Sequence, residues 1–102
     1  MTNDPMTTIR ADLSRRIGTI DGQASPARIA IEVDMIRSLA HRNGMGVAVT
    51  VARMLDGALA RGEHGPLVHA WLEMLADAVG CERQDGPACD VFAAACAVRF
   101  AA

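Results

Sequence analysis

Large apolar residues recur along this chain at intervals of three and four, the spacing that gathers side chains on one face of an α-helix. Four stretches interrupt the pattern: Asp21-Gly22, Asn43-Gly44-Met45-Gly46, Gly62-Glu63-His64-Gly65-Pro66, and Gly80 through Pro87. All four are rich in turn-forming residues. They leave five segments, and each projects as a helix. From Thr8 to about Ile20, Ile9, Leu13, Ile17 and Ile20 make a narrow stripe, with Arg10, Ser14 and Arg15 facing away, so this helix is expected at the periphery. The second segment opens with Ser25 as N-cap and Pro26 at the first helical position, and it stops at Asn43-Gly44, a pair suited to a left-handed C-cap.

In the third segment, Val47 to Arg61, Val47, Val51, Met54, Leu55, Ala58 and Leu59 share a face opposite Thr50, Arg53 and Asp56. Its opening, residues 47–51, also alternates as a strand would. Helix is preferred because no turn signal separates that run from the rest, although Gly57 in the interior costs ~1 kcal/mol relative to Ala. The fourth, Pro66 to Val79, is the clearest: Leu67, Val68, Trp71, Leu72, Leu75 and Val79 face the core, and His69, Glu73 and Asp77 face away. The fifth, Pro87 to Phe100, is apolar nearly all round, with Asp90 and Arg99 near the ends that the helix dipole favours for each sign. The expected fold class is all-α, a compact bundle of about five short helices. A length of 102 residues fits a single helical domain, with residues 1–7 expected as a flexible tail.

Composition narrows the function classes. Hydrophobic residues are 51% of the chain and charged residues 22%, enough apolar material to fold. No apolar run approaches the ~20 residues of a membrane span. All ten basic residues are Arg, and twelve acidic residues bring the formal charge to -2, which gives a polyanion nothing to bind. Cys81, Cys89 and Cys96 form neither a paired framework nor a zinc-knuckle spacing. Free thiols and the lack of an apolar leader near the start point to the cytoplasm.

Few constellations suggest chemistry. His69, Glu73 and Asp77 stack on one helix face and are the candidate metal ligands, with a solvated polar face as the simpler account. Cys81 follows Gly80 and precedes Glu82, a setting that keeps the thiol neutral, while Cys89 and Cys96 are expected as core filler. Glu32 projects among Ile29, Met35, Ile36 and Leu39; it is either a buried functional acid or a side chain reaching solvent and pairing with Arg28. Gly44-x-Gly46 follows a helix and lacks a third glycine, so it is no dinucleotide loop, and there is no nucleophile elbow, P-loop or H-E-x-x-H.

Residues 31–55 have helix-turn-helix connectivity, but the recognition positions would be Val47, Ala48, Val51 and Leu55, which neither grip phosphate nor read base edges. The expected function is therefore contact with other proteins, as a homo-oligomer or an accessory module, without nucleic acid, cofactor or catalysis. A DNA-binding regulator and a small-molecule or metal-binding protein are the alternatives. Two helices carry a second apolar stripe each: Ile31, Met35 and Leu39 beside the main stripe of Ile29, Val33, Ile36 and Ala40, and Val91, Ala95 and Val98 beside Phe92, Cys96 and Phe100. Covering both inside so short a chain is difficult, so a two-fold dimer through the second stripes is expected.

Overall fold

Three of the five helices begin the same way, with a side-chain acceptor followed by proline in the first turn. In the computed structural model, which describes residues 4–100, α1 (Pro5–Gly18) is capped by Asp4, which accepts from the Met6 N–H. Ser25 accepts from the Arg28 N–H ahead of α2 (Pro26–Arg42), and Asp85 from the Ala88 N–H ahead of α5 (Gly86–Arg99). These side chains satisfy donors that the helix itself leaves free. Because Asp4 and Pro5 start α1, residues 5–7 are helical where a tail was expected; residues 1–3 of that tail lie outside the described residues. The other two helices are α3 (Gly46–Ala60) and α4 (Pro66–Gly80), and no strand occurs among the described residues. The run 47–51 is helical. An all-α bundle of five short helices is thus the architecture.

The turn between α2 and α3 closes as the Asn-Gly pair requires. Gly44 takes φ 67°, and the Met45 and Gly44 N–H groups bond back to the carbonyls of Ala40 and His41. This is the Schellman arrangement, and its apolar partner Met45 is fully buried.

The core is centred on α3 and α4, which supply seven buried residues each. α3 packs against α2, α4 and α5, while α1 lies mainly on α4 and touches α2 lightly. By contrast α5 buries only Cys96 and leans Ala88, Cys89, Phe92 and Phe100 against the core at partial exposure. Leu67, expected on the core face of α4, is instead exposed because it sits in the first turn, ahead of the packed part of the helix. The molecule measures 44 × 27 × 18 Å. Its thin dimension holds two helix layers at the usual spacing of about 8 to 10 Å, so the outer helices keep a face toward solvent.

α3 has no side-chain cap of its own, because Met45 occupies the capping position. The cap comes from the loop between α4 and α5. Gln84 Oε1 accepts from the N–H groups of Val47 and Ala48 at 2.9 and 3.3 Å, and its Nε2 donates to the carbonyls of Ala78 and Cys81 at 2.9 Å each. One amide therefore serves the start of α3 and the end of α4. Gly46 makes this approach possible: a Cβ there would lie 2.9 Å from the Gln84 carbonyl oxygen and 3.1 Å from Cys89 Sγ. On the other side of the loop, Arg10 donates to the Glu82 carbonyl, turning inward where the projection placed it outward. Replacing Gln84 by Leu should destabilise the protein by roughly 1 to 3 kcal/mol in denaturant unfolding, since the Val47 and Ala48 N–H groups and the Cys81 carbonyl lose their partner and the Ala78 carbonyl keeps only the Cys81 N–H. Gly46→Ala should cost a comparable amount.

Candidate functional site

The seam between α2 and α3 brings two carboxylates together. Ala27 and Ala30 on α2 and Ala60 on α3 are too small to fill the space above it, leaving an open groove of about 550 Å³ lined also by Pro26, Asp34, Asp56 and Leu59. Arg37, one turn beyond Asp34, reaches both acids: its Nη2 is 3.4 Å from Asp34 Oδ1 and its Nε is 3.6 Å from Asp56 Oδ2. Asp56 Oδ1 is buried and finds no partner among the described residues.

Burial pushes the Asp56 carboxyl up to about 7. The hydrogen bond with Asp34, which needs a proton on one of the two groups, and the Asp34 negative charge act in the same direction, while Arg37 opposes them. The seam thus takes up and releases a proton close to neutral pH. The helical projection had put Asp56 on the outer face of its helix, opposite the apolar one. What it could not register was α2 lying across that face, with an alanine-lined approach that brings Asp34 to the same level.

The other expected positions separate into brought-together and dispersed. His69 and Glu73 meet, with Nε2 to Oε1 at 3.1 Å, and Glu73 is also approached by Arg99 at 3.9 Å. All three are exposed, as is Asp77, so they form a solvated ion-pair face. Among the described residues no group of three or more His, Cys, Asp or Glu side chains is placed to hold a metal ion. Glu32 is exposed, which corrects its candidacy as a buried acid: it points away from the packed stripe and lines a shallow depression of about 150 Å³ with Arg28, Thr19, Asp21 and neighbouring apolar residues. Its expected pairing with Arg28 is not among the ion pairs of the described residues.

Val47, Ala48, Val51 and Leu55, the positions that a helix-turn-helix would offer to a groove, are fully buried. Of the thiols, Cys96 is buried as expected, whereas Cys89 is only half-buried, like Cys81, because it stands at the edge of α5 beside Gly46 in a recess lined by His41, Val49 and Thr50.

The second apolar stripes remain at the surface. Val91 is 68% exposed and Val98 82%, with Ala95 exposed between them. On α2, Ile31 is 65% and Met35 46% exposed, and the Arg16 guanidinium lies 3.1 Å from the Met35 sulfur. Leu39 departs from the set: it is half-buried and packs on the core. A scan against protein-family profiles, a search of curated proteins and a search of solved structures each find no match.

Two outcomes follow from this geometry. In the folded protein Asp56 holds a proton that the unfolded chain releases near pH 4, so the contribution of this group to stability is fully present below that pH, falls between about 4 and 7, and is level above 7. For this group unfolding at pH 5.5 and pH 8 should differ by roughly 1 kcal/mol and by no more than about 2, the solvent that still reaches a side chain 26% exposed reducing the effect. Asp56→Asn should flatten the profile and stabilise the protein at pH 8. In thiol titration of the native protein, Cys81 and Cys89 should react well ahead of Cys96, giving two fast groups out of three.

Proposed function

We propose that the protein works through contacts with other polypeptides, in the first instance a second copy of itself, and that it does so in the cytoplasm, a compartment that suits three unpaired cysteines. The observation that carries this is the stripe Val91, Ala95 and Val98, which runs along α5 at helical spacing, fully outside a helix that buries one residue. Ile31 and Met35 on α2 add a second apolar area. Scattered apolar side chains on a surface are ordinary, but a row on one helix, with small Ala95 in its middle, suits close helix-to-helix approach.

A stable two-fold contact needs about 800 Å² from each partner, roughly an eighth of the 6007 Å² that one copy exposes. No helix among the described residues is long and apolar enough to cross a membrane, so a bilayer-spanning role is not what these apolar positions serve. Burial of Val47, Ala48, Val51 and Leu55 removes the apolar face of α3 from any groove, and the -2 formal charge supplies no phosphate-binding excess. No catalytic step is assigned.

Light scattering with purified protein at high micromolar concentration should give twice the monomer mass. Val98→Glu should return the monomer with helical circular dichroism unchanged, and Met35→Glu should do so if α2 takes part. A monomer mass for the unmodified chain at that concentration would refute self-association, and loss of fold in both variants would place these side chains in the intramolecular core instead.

A further inference from the structure

α2 and α3 are joined tightly at one end and loosely at the other. The turn through Asn43, Gly44 and Met45 closes the first end, where Ala40 and Met45 are fully buried. At the second, the start of α2 meets the end of α3, and apart from Leu59 the groove there is lined by Pro26, Ala27, Ala30 and Ala60, which bring little side chain to the contact. Between the two ends stand Asp34, Asp56 and Arg37. Arg37 to Asp56 is the only ion pair joining α2 to α3 among the described residues.

The charges in this seam balance only when one carboxyl carries a proton. With both ionised, two carboxylates share one guanidinium, and Asp56 Oδ1 is buried without a donor among the described residues. A buried anionic oxygen without a hydrogen bond is costly, and parting of the helices would bring it water. No charged group of α4 or α5 bears on Asp56: apart from its own burial, the influences on its proton come from Asp34 and Arg37 of α2. Arg53, one turn earlier on α3, is exposed and in no ion pair among the described residues. Because the Asp56 carboxyl is pushed up to about 7, the change of state falls close to neutral pH.

We propose that the seam is a proton-operated latch on the open end of the α2–α3 pair: a proton held on Asp56 keeps the start of α2 against the end of α3, and its release lets the two part while the closed end and the rest of the bundle stay folded. This is a local opening, distinct from the loss of overall stability with pH.

The test is hydrogen exchange at single amides of the full chain by NMR at pH 5.5 and 8, each rate corrected for that of an unstructured peptide, with a carboxyl-carbon titration of Asp56 alongside. Protection at residues 30–34 and 57–60 should lie below that of the α4 core and should fall about fivefold between the two pH values. Amides of α5 should keep their protection, since no residue of that helix lines the groove and its far end is held by Phe100 stacked on Trp71, ring centres 3.9 Å apart. Asp56→Asn should keep the pH 5.5 protection at pH 8. Arg37→Gln, which removes the charge that favours ionisation, should raise both the Asp56 midpoint and the pH of the fall by about half a pH unit. Asp56→Asn preserves the shape of the side chain and Arg37 is 35% exposed, so both variants fold. The latch is overturned if residues 30–34 and 57–60 are as protected as the α4 core at pH 8, if α5 loses protection by the same factor, if the fall persists in Asp56→Asn, or if Arg37→Gln leaves the midpoint unmoved.

Discussion

A single neutral amide holds the two central helices in register. Gln84 spends its oxygen on two donors at the start of α3 that have no helical partner, and its nitrogen on two carbonyls at the end of α4 and just beyond it, those of Ala78 and Cys81. Both sets of groups are half-buried where the α4–α5 loop folds over them, so water is a poor substitute. Gly46 matters for the same reason, since the loop carbonyl comes to within 2.9 Å of where its side chain would begin. The position of α5 follows from this junction: the helix starts two residues after Gln84, already aimed along α3.

The arrangement distributes burial unevenly. α3 and α4 are covered by neighbours on most sides, α2 is covered on the face that carries Ile29, Val33, Ile36 and Ala40, and α5 is anchored at Cys96 with the rest of its inner face partly wet. A two-layer plate of this kind cannot enclose a helix that is apolar all round. The consequences are the exposed row on α5 and the incomplete seals at both ends of α3, where the recess beside Cys89 and the cleft beside Trp71 remain.

Much of this fold is legible in the sequence because helix periodicity and capping chemistry are local. Ser25-Pro26 and Asn43-Gly44 mark both ends of α2 correctly, and the apolar stripe of α4 is buried apart from Leu67. What a helical projection lacks is the neighbour. It assigns an angle to Asp56 but not the helix that crosses it, and to Cys89 but not the open edge it occupies, whereas for Glu32 the solvent-reaching alternative is the one that holds. Gln84 carries no periodic signal at all. A hint of it exists nonetheless: α3 starts at Met45-Gly46 with no capping side chain, a deficit that a folded chain must make good from elsewhere, and Gln84 is the sole side-chain amide in the stretch from Gly80 to Pro87. The carboxylate seam and the Trp71 cleft are products of tertiary approach between small residues, which composition alone does not locate.

The light anchoring of α5 has a dynamic consequence. A helix that buries one thiol and shares four half-buried side chains has little local free energy holding it down, so its amides exchange with solvent through openings that leave α2, α3 and α4 intact. Such an opening unstacks Phe100 from Trp71 and bares the apolar surface of α3 beneath. The end of the molecule richest in aromatic surface is thereby also the part most readily remodelled.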